Sequence, residues 1–197
     1  MFVLFGGSFD PVHIGHIVIA RDVKEHLGAE KVIFIPASQA PLKEGHGAPP
    51  LDRLRMLQLA VEREEGFEVE DWEVRRGGVS YTVDTLQHLL PKLGSKPCFL
   101  LGADSVLRLH LWREPERILQ LVKVVVVDRG GKMEEVRKYL KERFPHIKEG
   151  EDVLFLSVRR IDVSATEIRR RLREGKSIYC MVPERVEEYI KERGLYR

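Results

Sequence analysis

A doubly wound α/β fold, with a mostly parallel sheet and helices on both faces, is predicted by three features of the sequence. Short apolar runs alternate with helix-like stretches along the chain, as repeated βα units require. The runs are continuously apolar, which suits strands buried on both faces of a parallel sheet. The first of them, Phe2-Val3-Leu4-Phe5, opens into a glycine turn that leads straight to a helix. In such sheets ligands gather outside the carboxyl ends of the strands.

Phe2–Phe5 reads as the first strand and Ile17–Leu27 as the first helix, ending near Gly28. Lys31–Ile35 is a second strand, stopped by Pro36. From Pro36 to Pro50 runs a loop with Gly45, Gly47 and few apolar anchors, the expected mobile element. A helix over Leu51–Arg63 offers Leu54, Leu57, Leu59 and Val61 to the core. Phe67–Val74 reads as a strand, and Tyr81–Leu90 as a helix behind the Gly77-Gly78 turn. Pro97–Leu101 is a strand that ends in Gly102-Ala103-Asp104-Ser105. Pro115–Leu121 is a short helix, Val122–Val127 the most apolar strand, Met133–Phe144 an amphipathic helix and Val153–Val158 the last strand. Two helical segments, Ala165–Glu174 and Pro183–Arg193, close the chain, the second beginning at its proline. There is no internal repeat and no low-complexity tract.

With 197 residues the chain reads as a single domain, 1–197, whose C-terminal helical segment from about 164 packs on the rest. Lysine and arginine number 33 against 31 acidic residues, interleaved, for a net charge of +2. That balance argues against a nucleic-acid partner. Cys98 and Cys180 stand far apart without ligand spacing and read as free thiols of a reducing compartment. The opening apolar run is too short for a signal peptide, and no stretch approaches the length of a membrane span. The expected setting is the cytoplasm, without membrane association.

The chemistry concentrates in the first turn, Gly6-Gly7-Ser8-Phe9-Asp10-Pro11-Val12-His13-Ile14-Gly15-His16. Strand, glycine turn and helix together cradle phosphate, because glycine lets backbone N–H groups approach an anion and the helix N-terminus adds its dipole. The spacing fits neither the dinucleotide fingerprint nor the Walker loop. His13 and His16 lie three apart and share a face if both are helical. A pair of imidazoles there suits a polyphosphate whose charge grows during reaction. The alternatives are that each histidine caps or packs, or that the pair binds a metal, for which further ligands are lacking nearby. Downstream, Ser80 or Thr82 can cap the following helix, and Asp104 can cap the turn after its strand. Ser164-x-x-Glu167 is a capping box.

The motif G-G-S-F-D-P-x-H-x-G-H resembles the signature of the nucleotidyltransferase superfamily with the H-x-G-H motif, and within it the bacterial nicotinate-nucleotide adenylyltransferases. The likeness continues nearly to the end of the chain. Ser80-Tyr81-Thr82-Val83-Asp84-Thr85-Leu86 resembles the branch's S-Y-T-x-x-T-L element, and Val163-Ser164-Ala165-Thr166-Glu167-Ile168-Arg169 resembles the I-S-S/A-T-x-I-R element. Gly102-Ala103-Asp104-Ser105 followed by Trp112 matches G-x-D-S with its later tryptophan, and the Val182–Tyr196 tail is similar to the branch's C-terminus. Two departures stand out. Leu42 replaces the histidine of a P-P-H-K loop end, while Lys43 keeps its lysine; Arg113 stands where an aromatic often follows the tryptophan. A family arginine falls at Arg53, where a solvated or ion-paired structural role is expected.

The resemblance implies a Rossmann-like nucleotidyltransferase fold and the joining of ATP to nicotinate mononucleotide, giving deamido-NAD and pyrophosphate in NAD biosynthesis. It implies catalytic roles for His13, His16, Lys43 and Arg169. ATP is expected at Gly6, Gly7, Ser8, Phe9, His13, Gly15, His16, Asp104, Ser164, Thr166 and Arg169. Nicotinate mononucleotide is expected at Ser8, Lys43, Thr82, Thr85, Asp104 and Trp112. Magnesium is implied through the ATP phosphates, without a protein metal site. Read without the family, Lys43 is a solvated loop lysine and Trp112 is as often buried structure as a stacking platform. Nicotinamide-mononucleotide and pantetheine-phosphate adenylyltransferases are the enzymatic alternatives, a non-enzymatic nucleotide sensor the other. Oligomeric state is left open, with a homo-oligomer among the options.

Overall fold

The computed structural model describes residues 1–128 and 130–197. Among them, β1 Phe2–Gly7, β2 Lys31–Pro36, β3 Phe67–Val69, β4 Cys98–Gly102, β5 Lys123–Val127 and β6 Val153–Leu156 form one sheet in the order β3-β2-β1-β4-β5-β6. Every pairing is parallel. The helices are α1 Ile14–Leu27, α2 Pro50–Val61, α3 Trp72–Arg76, α4 Thr82–Leu93, α5 Ala103–Val106, α6 Pro115–Leu121, α7 Met133–Arg143, α8 Ala165–Arg173 and α9 Glu184–Arg193. The chain winds outward from β1 to β3, then returns to lay β4 on the other side of β1. That reversal makes a topological switch point between β1 and β4.

Continuous apolar strands have a residue to bury on each side. Val3, Val32, Phe34, Cys98, Leu100, Val125 and Val127 face one layer, where they meet Ala20 and Val23 of α1, Met56 and Leu57 of α2, Ile168 of α8 and Ile190 of α9. The residues next in register, Leu4, Ile33, Ile35, Phe99, Leu101, Val124 and Val126, face Leu86 and Leu89 of α4, Ile118 of α6 and Val136 of α7. Each fully buried side chain of this size stabilises the fold by about 1.5–3 kcal/mol. The α9 helix is also tied to α2: Tyr189 and Arg193 donate to Asp52 Oδ1 at 2.7 and 3.1 Å.

Several elements depart from the sequence reading: β1 runs on through Gly6 and Gly7, and α5 covers Ala103–Val106 where no helix is expected. The Phe67–Val74 strand is only Phe67–Val69, followed by α3. The apolar spacing shifts phase after Val69, and the Glu70 carboxylate accepts the Trp72 amide at 3.0 Å, turning the chain into a helix. The last strand stops at Leu156, short of Val158. Just beyond it the Arg159 amide donates to Asp22 Oδ2 on α1 at 2.9 Å, away from the ladder. The first helix starts at Ile14, ahead of Ile17, because His13 has the extended backbone of an N-cap. No described helix is long and apolar enough to cross a membrane.

Candidate active site

The turn after β1 stands at the switch point. A Cβ on Gly7 would meet the Phe9 ring at 3.2 Å, so the glycine lets that ring fold back under the turn. Phe9 is buried and places its ring edge-on to His16, with 5.0 Å between centroids. His13 and His16 stack with centroids 3.7 Å apart. The His13 amide donates to His16 Nδ1 at 3.2 Å. A neutral imidazole that accepts at Nδ1 carries its proton on Nε2. His16 therefore offers an N–H donor, and it lines a cleft. His13 is buried, and a Cβ on Gly15 would approach its ring to 3.0 Å. The glycine between the histidines is what leaves room for their stack.

Behind this turn lies a buried charge cluster. Arg53 is 0% exposed. Its Nε donates to Ala48 O at 3.1 Å, Nη1 to Ser8 O and Ala37 O at 2.7 Å each, and Nη2 to Ser38 O at 2.7 Å. One guanidinium thus ties the turn after β1 to the segment after β2 and to the end of its loop. The expected solvated or ion-paired role for Arg53 is corrected: its hydrogen-bond acceptors are backbone carbonyls. Asp10 is buried beside it and accepts the Gly47 and Ala48 amides at 2.6 and 3.0 Å. Arg169 Nη1 donates to the Asp10 carbonyl at 2.7 Å. The Lys43 Nζ donates to Ser8 Oγ at 3.0 Å. Burial first, then Arg169 and Arg53, holds the Lys43 ammonium below its ordinary pKa range against the opposing pull of Asp10. An anion arriving beside it would relieve that cost.

Two clefts open here. One, of about 320 Å³, is lined by Gly6, Gly7, Ser8, Lys43, Glu73, Thr82, Asp104 and Trp112, among others. The second, of about 230 Å³, is lined by Phe5, Gly6, His16, Asp104, Val127 and Lys132, among others. They share Gly6, Leu101, Asp104 and Ser105. Asp104 is thus common to both, with its side chain 80% exposed and paired to Lys132 at 2.6 Å. Trp112 lies edge-on to Phe99, centroids 6.3 Å apart. Arg113 sits over the Tyr81 ring at 4.9 Å and lies 3.7 Å from Asp84.

Other expected residues are placed differently. Thr85 is buried and outside the lining of both clefts; its hydroxyl donates to Glu73 Oε1 at 2.5 Å. Ser164 caps α8, its Oγ accepting the Glu167 amide at 3.1 Å, as the capping box predicts. Thr166 Oγ1 accepts from Arg169 Nη2 at 3.4 Å. Ser164 and Thr166 stand beside Arg169 on α8, and none of the three lines either cleft. Sequence reasoning gave no role to Glu73, Asp10 or His46. Burial pushes the Glu73 carboxyl above its usual range against hydrogen bonds from Thr85 and Ser80. Glu73 fell inside the misread strand, and nothing in its neighbours marked it. His46 Nε2 accepts the Ala40 amide at 3.2 Å, closing the loop that carries Lys43. Among the described residues no group of three or more His, Cys, Asp or Glu is placed to hold a metal ion.

Residues 4–171 match the model of the family described as cytidylyltransferase-like. Over 168 residues the chain is 56% identical to a protein of Aquifex aeolicus named "Probable nicotinate-nucleotide adenylyltransferase", covering 85% of this chain and 100% of that one. The chain belongs to the nicotinate-nucleotide adenylyltransferases of the cytidylyltransferase-like family. A Roseiflexus relative of the same name is 42% identical over 196 residues, 98% of this chain and 96% of its own. The fold matches that of Plasmodium falciparum nicotinic acid mononucleotide adenylyltransferase complexed with NaAD, with a TM-score of 0.79 over 99% of this chain and 96% of that one. At 17% identity that likeness is one of fold.

Proposed function

We infer that the protein catalyses adenylyl transfer from ATP to nicotinate mononucleotide, releasing deamido-NAD and pyrophosphate in NAD biosynthesis. The observation that carries this reading is the pair of clefts meeting over Gly6, with Asp104 common to both. The mononucleotide would occupy the larger cleft, its ring near Trp112 and its carboxylate toward Thr82 at the start of α4. Adenosine would occupy the smaller one, with Asp104 accepting ribose hydroxyls once released from Lys132.

An oxygen of the mononucleotide phosphate forms a bond to the α-phosphorus of ATP. The bond from that phosphorus to the bridging oxygen breaks, and its electron pair leaves with pyrophosphate. The nucleophile is already an anion, so no base is required. Catalysis is positioning and charge stabilisation. The His16 Nε2–H would donate to the reacting phosphate, and Lys43, held at Ser8 on the wall of the larger cleft, would face the mononucleotide phosphate. Arg169 takes the departing charge, fixed by its bond to the Asp10 carbonyl. His13 supports the stacked partner from beneath. Magnesium would come with the triphosphate, held by phosphate oxygens and water, and would neutralise charge there. The single unit 1–197 and the cytoplasmic setting belong to the same proposal; Cys98 and Cys180 are both free thiols.

Pyrophosphate release with ATP and each acceptor in turn tests the reading: nicotinate mononucleotide, nicotinamide mononucleotide and phosphopantetheine. The expected order puts nicotinate mononucleotide first. No release with it refutes the proposal, and release only with another acceptor reassigns the larger cleft.

A further inference from the structure

Asp10 joins parts of the chain that are far apart in sequence. Its Oδ1 accepts the Tyr196 hydroxyl at 2.7 Å and the Ala48 amide at 3.0 Å. Its Oδ2 accepts the Gly47 amide at 2.6 Å and faces His46 Nδ1 at 3.9 Å and Arg169 Nη1 at 4.0 Å. Its carbonyl accepts Arg169 Nη1. Tyr196 is 9% exposed and holds a left-handed backbone, φ 63°, to bring its ring inward. The fit is close. A Cβ on Gly47 would lie 2.7 Å from Arg169 Cδ and 2.8 Å from Tyr196 Cε1. Tyrosine ring, arginine stem and the end of the Lys43 loop therefore share one contact point.

We propose that Tyr196 is a positioning residue for adenylyl transfer, acting through Asp10 to set where Arg169 stands. The inference rests on the functional reading above, in which Arg169 takes the charge of the departing pyrophosphate. Tyr196 lines neither cleft. Its hydroxyl fixes the Asp10 carboxylate, and Asp10 fixes the guanidinium through its own carbonyl. Burial, then the Asp10 charge, raises the phenol above its ordinary pKa, so the hydroxyl remains a donor throughout the working pH range.

The test is a double-mutant cycle on pyrophosphate release, using Tyr196→Phe, Arg169→Ala and the pair, with melting curves of each. Tyr196→Phe is expected to lower kcat roughly tenfold, the scale of one lost hydrogen bond to a charged group, and to leave the KM for nicotinate mononucleotide within about twofold. In the Arg169→Ala background the same change should cost almost nothing, because residues acting through one partner are not additive. A full tenfold loss in both backgrounds overturns the proposal, since it would mark a purely structural tyrosine. An Arg169→Ala enzyme as fast as the wild type overturns the functional reading, and the proposal with it. Gly47→Ala drives a methyl group between the same two side chains and provides the check if Tyr196→Phe fails to fold. Its loss should likewise vanish beside Arg169→Ala, and an additive loss counts against the proposal.

Discussion

Replacing Arg53 by methionine should unfold the protein at a markedly lower temperature. The side chain is fully buried, and four of its N–H groups serve four carbonyls at 2.7–3.1 Å. Methionine fills similar space but leaves Ser8 O, Ala37 O, Ser38 O and Ala48 O without that donor. It also removes one of the positive charges beside the buried Asp10 carboxylate, leaving Arg169 Nη1 at 4.0 Å. Hydrogen bonds to charged groups are worth about 1.5–3 kcal/mol each, and removing one member of a buried charged arrangement costs about 3–5 kcal/mol. The four losses are not additive, because the segments relax together and water enters, so about 4 kcal/mol is the expected total. For a chain of this size each kcal/mol moves the melting temperature by about 2–4 °C, which gives a fall of about 8–16 °C. Circular dichroism melting of the purified variant reads this directly. Arg53→Lys keeps the charge but presents a point donor in place of a planar fork, and should recover about half of the loss. A fall under about 3 °C for Arg53→Met would refute the reasoning, as would a lysine variant no better than methionine.

His16→Ala should lower kcat by about 10²–10³ while the melting temperature holds within a few degrees, and near-wild-type turnover would remove His16 from the mechanism. Lys43 loses its charge as pH rises through its depressed pKa, so kcat/KM should fall on the alkaline side at a pH below that of an ordinary lysine. That limb should disappear from the profile of Lys43→Met, measured in parallel. Asp22 is held below its usual carboxylate range chiefly by side-chain hydrogen bonds from Arg159, against the pull of burial. A depressed folded pKa gives stability that is present above the unfolded aspartate pKa and lost as pH falls through the folded one. Asp22→Asn should therefore melt lower than the wild type at neutral pH, and the gap should close in acid; a gap independent of pH would contradict the assignment.

The sheet was legible in the sequence because its strands are apolar on both sides, and runs such as Val122–Val127 allow few other readings. The carboxyl edge of the sheet was legible through the glycines that close β1 and β4, although the first strand runs two residues past the expected Phe5, to Gly7. What could not be read was how the polar residues pair. Arg53 lies on a helix whose pattern also fits a surface arginine, and its four acceptors come from segments up to 45 residues away. Asp10 was visible inside the motif, but its partner Tyr196 is 186 residues distant. Thr85 repeats the helical spacing of Tyr81, whose carbonyl its hydroxyl approaches at 3.3 Å, so a hydroxyl matched to a binding motif turned instead toward Glu73. Local pattern gives the elements; long-range hydrogen bonds decide which of their polar groups remain open to a ligand.

The loop that carries Lys43 is fastened at both ends. The Ala37 amide donates to Gly7 O at 2.9 Å on one side, and the Gly47 and Ala48 amides hold to Asp10 on the other. Between these fixed points Ala40, Pro41, Leu42 and Lys43 form one wall of the larger cleft. Such a segment is an exchangeable cassette. Substitutions between the fastenings reshape the wall of the larger cleft and leave the anchoring hydrogen bonds in place. Leu42, exposed on that wall, takes part in neither fastening.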